Sequence, residues 1–147
     1  MTTRFFLDTN IVLYCFDDTS VRKQSIARDL LILGASTDTG VVGYQVIQEF
    51  LNVALNARRL ALANGVALAF VERFLQPISK TVPGFDLFVS TAEIQTETKY
   101  SFYDCLIVAA ALQGKCEILY SEDMQHDHRI GSLRIVNPFL VAVNESN

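Results

Sequence analysis

The segment Arg4-Phe5-Phe6-Leu7-Asp8-Thr9-Asn10 joins a short apolar run to a cluster of helix-capping residues. A run of this length, bounded by turn formers, has the pattern of a strand buried on both faces, as in a parallel sheet. Asp8-Thr9-Asn10 then ends the strand and opens a short helix, expected over Ile11 to Phe16. Asp8 therefore stands at a strand's carboxyl end, the edge where open α/β sheets bind ligands. The same residue suits an ordinary N-cap, so the segment alone leaves both readings open.

The pattern recurs along the chain. Thr39-Gly40-Val41-Val42 reads as a second strand and Cys116-Glu117-Ile118-Leu119-Tyr120 as another, the latter ending in Ser121-Glu122-Asp123. Lys80-Thr81-Val82, before Pro83-Gly84, is a further strand candidate. Leu133-Arg134-Ile135-Val136 is the last, with Asn137-Pro138-Phe139 as an extended end. Helical periodicity separates them. From Val21 the apolar positions are Ile26, Leu30 and Leu33, with an end expected near Gly34. Gly43 to Leu55 carries Val46, Ile47, Phe50, Val53 and Ala54; Leu62 to Leu75 carries Val66, Phe70, Val71 and Phe74; Asp86 to Lys99 carries Leu87, Phe88, Ala92 and Ile94. Strands alternating with helices predict an α/β fold with a mostly parallel central sheet. No repeats or linkers interrupt the chain, so 1–147 reads as one domain.

Tyr103-Asp104-Cys105-Leu106-Ile107-Val108-Ala109-Ala110-Ala111-Leu112 contains one carboxylate followed by a helix-length run without charge. A helix apolar all round belongs in the interior. Asp104 falls in its first turn, where the helix dipole favours an anion, either as a cap or as a functional group. Glu49 lies beside Phe50 in the apolar stripe of its own helix. It either faces solvent or is paired in a cavity, with Gln45, Gln48 and Asn52 spaced to hold it.

Half of the 147 residues are hydrophobic and 19% are charged, enough for a core and too few charges for wholesale disorder. No apolar run approaches the roughly 20 residues that span a bilayer. Met1-Thr2-Thr3-Arg4 lacks the layout of a signal peptide. Three cysteines without a CxxC spacing point to a reducing, cytoplasmic setting, with Cys15 and Cys105 as core residues. The net charge of −4 argues against a simple DNA-binding module. It is compatible with a nuclease, whose clustered acids lower the total while bound cations reverse the local sign.

Asp8 and Asp123 end strands, Asp104 begins a helix, and Glu49 lies further along one. Strand carboxyl ends and the following helix N-termini share one edge of a parallel sheet. Carboxylates gathered there repel one another unless a cation compensates. With no clustered Lys or His nearby, the composition suggests a hard divalent ion, Mg²⁺ or Mn²⁺, and metal-assisted phosphoryl chemistry.

These four acids, in this order and context, resemble those of the PIN-domain ribonucleases. Leu119-Tyr120-Ser121-Glu122-Asp123-Met124-Gln125-His126 and Ile135-Val136-Asn137-Pro138-Phe139 resemble its bacterial branch of VapC-like toxins. The resemblance implies a three-layer α/β/α sandwich that binds Mg²⁺ or Mn²⁺ and hydrolyses single-stranded or structured RNA. It implies Asp8, Glu49, Asp104 and Asp123 as the active site, with Asp8, Asp104 and Asp123 at the metal. Asp8 and Asp104 would be direct ligands. Glu49 and Asp123 would act through water, position the hydrolytic water, or hold a second ion. Thr9, Asn10 and Ser121 would support them from behind. A small antitoxin and a homodimer are the partners it implies.

Glu122 and Asp127 are further acids that could join the site, although strand alternation places Glu122 opposite Asp123. His126 and His128 are expected as exposed loop residues or phosphate contacts, with a transition-metal site as the less supported option. Arg58 and Arg59, after the Glu49 helix, are candidates for RNA phosphates or plain helix-end charges. Two other classes fit less well. A haloacid-dehalogenase-like metal-dependent phosphatase needs a second Asp where Asn10 stands, and a receiver domain needs a central phosphoacceptor and a later strand-end lysine. A non-catalytic RNA- or partner-binding module of the same fold remains the main alternative.

Overall fold

The computed structural model describes residues 3–140. Strand β1 (Phe5–Leu7) is an inner strand of the sheet, and all three of its residues are buried. A strand buried on both faces needs cover on both, which makes the protein three layers deep. The elements that follow are α1 (Thr9–Tyr14), α2 (Val21–Thr37), β2 (Gly40–Val41), α3 (Tyr44–Ala54) and α4 (Asn64–Phe70). After α4 the chain widens into a π turn, Val71–Leu75, and then tightens into a 3-10 turn, Gln76–Ile78. Then come α5 (Phe85–Glu97), α6 (Phe102–Gln113), β3 (Ile118–Tyr120), β4 (Arg129–Ile130) and β5 (Leu133–Val136).

The sheet order is β2-β1-β3-β5-β4, parallel except for the terminal β4–β5 pair. Leu7 pairs with Tyr120, so β1 and β3 end level and release Asp8 and Ser121 side by side. That register turns two motifs more than a hundred residues apart into neighbours. Asp8 N–H continues the ladder to Tyr120 O at 3.0 Å. Helix α6, with six buried residues from Cys105 to Ala111, is the interior helix expected from its composition.

Several expected boundaries move. Helix α2 does not end near Gly34 but runs on to Thr37, closed by Asp38 in the left-handed conformation (φ 58°). Gly34 sits where α2 crosses β2: a Cβ there would lie 2.8 Å from the Gly40 Cα. The α2 core face is Ala27, Leu31 and Gly34, one position on from the expected stripe, and Leu33 is exposed. Close backbone approach at the glycine pair fixes which face turns inward, overriding the bulk of Leu33.

Residues 80–82 do not form a strand. A single parallel bridge joins Val42 to Ser79, and Pro83 then removes the donor a longer ladder would need. The helix expected from Leu62 begins at Asn64, and its inner residues are Ala67 and Leu75, leaving Val66 and Phe74 exposed. In α5, Thr91 rather than Ala92 is buried, its hydroxyl bonded back to Leu87 O, while Phe88 is half-exposed. Strand β4 has no counterpart in the sequence expectations; Gly131 (φ 58°) and Ser132 form the two-residue turn that pairs it with β5. The end expected to be extended turns helical at 138–140. Asn137 Oδ1 accepts from Phe139 N–H and Pro138 begins the turn. Cys15, Cys105 and Cys116 are free and buried, as core residues. Among the described residues, no helix is long and apolar enough to cross a membrane.

Candidate active site

Asp8 leaves β1 as the N-cap of α1, in extended conformation, with Oδ1 accepting from Thr9 N–H at 2.7 Å. Ser121, fully buried at the end of β3, donates its hydroxyl to Asp8 Oδ2 at 2.7 Å. Asn10, two residues into the α1 turn, bridges two acids with one amide. Its Nδ2 lies 3.4 Å from Asp8 Oδ2 and 3.0 Å from Asp123 Oδ2, and its Oδ1 accepts from Glu122 N–H. Asp123 N–H closes the turn onto Ser121 Oγ at 3.3 Å. Thr9 N–H, the Asn10 amide and the Ser121 hydroxyl thus all contact these carboxylates.

At the start of α6 the cap is a different residue from Asp104. Ser101 is the N-cap of α6, accepting from Asp104 N–H, and Asp104 lies three residues on with its carboxylate not needed as a cap. Glu49 is half-buried on α3, and its Oε1 accepts from Gln45 Nε2 at 2.5 Å. Gln45 also approaches Tyr103 O, so α3 and the start of α6 are tied together. Gln48 and Asn52 are exposed, and no bond to Glu49 is among the contacts of the described residues.

Asp8 and Asp104 are both shifted by burial and by neighbouring acids. Burial pushes the Asp8 carboxyl up to about 6 against the opposing bonds from Ser121 and Thr9, and Asp104 and Glu49 add to the rise. Burial also raises Asp104, with Asp123 and Glu49 contributing repulsion. Only Asp8 is fully enclosed; Asp123 is exposed and Asp104 and Glu49 are half-buried, so the cluster opens to solvent along one side.

This donor set suits a hard divalent cation: all oxygen, anionic, and mutually repulsive without one. Among the described residues the buried Thr9 hydroxyl has no hydrogen-bond partner. No three His, Cys, Asp or Glu side chains among the described residues form a ready-made metal cage.

The remaining candidates resolve differently. Glu122 turns away to Lys23 Nζ (2.5 Å) and the Tyr14 hydroxyl (2.5 Å). Asp127 pairs with Arg134 Nε at 2.8 Å. Both acids are neutralised by their own cations. His126 and His128 are half-buried rather than exposed: His126 Nδ1 accepts from Asn137 N–H, and His128 Nδ1 lies 2.6 Å from the Tyr100 hydroxyl. Tyr100 also accepts from Gln125 N–H, so it ties the loop after Asp123 to the segment before Asp104. Arg59 lines the cleft that begins at Asn10 and Asp123; Arg58 does not.

Tyr14, Lys23, Tyr100 and Ser101 escaped the sequence reading. Tyr14 follows Asn10 by four residues on α1, so its helical face was legible; its partner Glu122, 108 residues away, was not. Ser101-x-x-Asp104 carries the spacing of a capping box and could have been found.

A parallel sheet whose carboxyl edge gathers Asp8, Glu49, Asp104 and Asp123 defines a class. Residues 5–129 match the PIN domain model, and the chain belongs to the PIN domain family. Among solved structures it is similar to the DNA-bound VapBC from Salmonella typhimurium, at 20% identity and a TM-score of 0.64 over 91% of this chain and 97% of that one. It is also similar to VapC20 of Mycobacterium tuberculosis, a toxin that cleaves the sarcin-ricin loop, at 20% identity and 0.60 over 81% and 89%. FitAcB from Neisseria gonorrhoeae gives 17% and 0.61 over 92% and 98%. At these identities the likeness is one of fold. No curated protein matches the sequence.

Proposed function

We propose that this PIN domain is a Mg²⁺- or Mn²⁺-dependent endoribonuclease that hydrolyses phosphodiester bonds of single-stranded RNA. We further propose that it is the toxin of a toxin–antitoxin module, restrained by a small antitoxin protein and acting as a cytoplasmic homodimer. The observation that supports the activity is the placement of Asp8, Asp104, Glu49 and Asp123 at one open sheet edge, where burial raises Asp8 and Asp104 and the neighbouring acids add to both rises. Four acids so placed are costly as structure and useful as a cation and phosphate site. The partner proposals rest on the fold shared with VapBC assemblies.

Asp8 and Asp104 would hold the ion, and Asp123 would reach it directly or through water. When bound, the ion lowers the pKa of water and neutralises the phosphoryl oxygens during displacement. The protein's own residues do the rest. Ser121 and Thr9 hold Asp8 rigid, leaving its ionisation coupled to cation arrival. Asn10 keeps Asp123 turned toward Asp8. Glu49, fixed by Gln45, orients the attacking water and receives its proton.

Incubation of generic single-stranded RNA with Mg²⁺ or Mn²⁺ tests the reading. Cleavage is expected to stop with EDTA and in Asp8→Asn and Asp104→Asn. Metal-independent cleavage, or full activity in either variant, overturns it. RNA binding without any cleavage would identify a non-catalytic member of the fold.

A further inference from the structure

A cleft of about 550 Å³ opens directly beside Asp123 and runs to the turn between α1 and α2. Its volume is in the range of small-ligand sites. The walls are mixed in a specific way. Leu13, Phe16, Val53 and Leu60 supply an apolar floor, while Asp17, Asp18 and Arg59 supply charge at the rim. Phe16 is held in place by Phe50 and Phe70, with ring centroids at 5.7 and 4.8 Å, so this floor is rigid.

The polar groups are unevenly engaged. Asp17 Oδ1 accepts from both the N–H and the hydroxyl of Thr19, at 2.9 and 2.5 Å, and Asp18 Oδ1 accepts from Gln24 Nε2 at 2.9 Å. Each acid thus uses one carboxylate oxygen, and among the described residues the Oδ2 atom of each has no hydrogen-bond partner. Arg59 lines a cleft containing Asp17, Asp18, Glu122 and Asp123, yet among the described residues its side chain forms no ion pair. A cation left unpaired beside four acids is free to meet a phosphate.

An apolar slot suits the face of an unstacked base, and single-stranded RNA presents such bases with their Watson–Crick edges free. The two carboxylate oxygens left open at the rim accept hydrogen bonds and donate none. Guanine alone among the four RNA bases offers two adjacent N–H donors on that edge, N1–H and the N2 amino group. Adenine and cytosine set a ring acceptor beside their amino group, and uracil flanks its N3–H with two carbonyls. Both arrangements turn a lone pair toward a negative charge.

We infer that the cleft beside Asp123 is a guanine-selective nucleotide subsite, with Asp17 and Asp18 reading the base and Arg59 holding its phosphate. The inference rests on the RNA-cleaving reading, since the cleft opens at the same acids that would attack the phosphodiester. It adds a sequence preference that the acid cluster by itself does not supply.

Two measurements test it. When a random-sequence single-stranded RNA is cleaved with Mn²⁺, guanine should be enriched about tenfold at one position beside the cut. Asp17→Asn/Asp18→Asn, which turns amide donors toward the base, should abolish that enrichment. Separately, the protein in EDTA should bind ApGpA about tenfold more tightly than ApApA by NMR titration. The shifts should cluster at Leu13, Val53 and Leu60, and the difference should vanish in the double variant. Cleavage without base preference overturns the subsite and spares the nuclease. Guanine-selective binding without cleavage overturns the nuclease and sustains the subsite. Equal binding of both RNAs, or the same shifts produced by an arginine-bearing peptide and by neither RNA, overturns the subsite.

Discussion

Asn10 Nδ2 lies 3.0 Å from Asp123 Oδ2, joining residues 113 positions apart at the edge of the sheet. The same amide nitrogen reaches Asp8, so a single neutral donor separates two acids that would otherwise face each other. Replacing that donor by an acceptor tests the arrangement most directly. Asn10→Asp places a third carboxylate between them and should destabilise the protein by about 1–3 kcal/mol at neutral pH in EDTA. Urea unfolding with and without Mn²⁺ measures this; equal stability of variant and parent in EDTA would show that the bridge carries no charge-separating role.

Asp8→Asn should abolish RNA cleavage and raise stability. A carboxyl whose folded pKa is raised binds protons more readily in the folded state, so its ionisation lowers stability as pH rises through that value. For Asp8 the window runs from 3.8 to about 6. The upper limit of the gain is about 3 kcal/mol above pH 6, reduced by whatever the Ser121 and Thr9 bonds lose. Below about pH 4 the two proteins should converge. Denaturation across pH 4–8 in EDTA gives the answer, and a variant less stable than the parent at pH 7.5 contradicts it.

Glu122 behaves in the opposite sense. Burial raises its pKa, but the bonds from Lys23 and Tyr14 outweigh this and leave it below the usual value of 4.5. Its pairing therefore contributes stability above that pH and loses it as pH falls. Glu122→Gln should cost about 1 kcal/mol at pH 7 and progressively less below pH 4.5, because the pair is partly exposed. A pH-independent difference would assign the effect to packing instead of charge.

Gly34→Ala adds a methyl group 2.8 Å from the Gly40 Cα, against backbone that cannot rotate away. Helix propensity alone would favour alanine by about 1 kcal/mol. Overpacking should exceed that gain and leave a net loss of about 1–2 kcal/mol. A rise in melting temperature would mean that α2 and β2 separate without cost.

Arg59→Ala should weaken binding of single-stranded RNA and reduce its salt slope by about 1, whereas Arg58→Ala should leave the slope unchanged. The distinction follows from Arg59 alone lining the cleft beside Asp123. Equal effects from both arginines would reduce their role to general surface charge.

The order of elements was legible because it depends on local patterns. Phe5-Phe6-Leu7 could only be a short, doubly covered strand, and the uncharged run of α6 could only be interior. Asp8, Glu49, Asp104 and Asp123 were legible as a set because strand ends and helix starts share an edge in any parallel sheet. What chain-local patterns do not encode is register and approach between distant segments. The Leu7–Tyr120 register brings Ser121 to Asp8, and Lys23 draws Glu122 away from the other acids. The Gly34–Gly40 crossing turns α2 one position away from its most hydrophobic face. The sequence by itself thus determined the alternation of β1, β2, β3 and β5 with the helices and the list of candidate acids, since those follow from periodicity and capping; it showed neither β4 nor the missing strand at 80–82. Only the tertiary structure decided which acid is free, which is paired, and which arginine faces the cleft, because charge pairing depends on distances that sequence separation does not set.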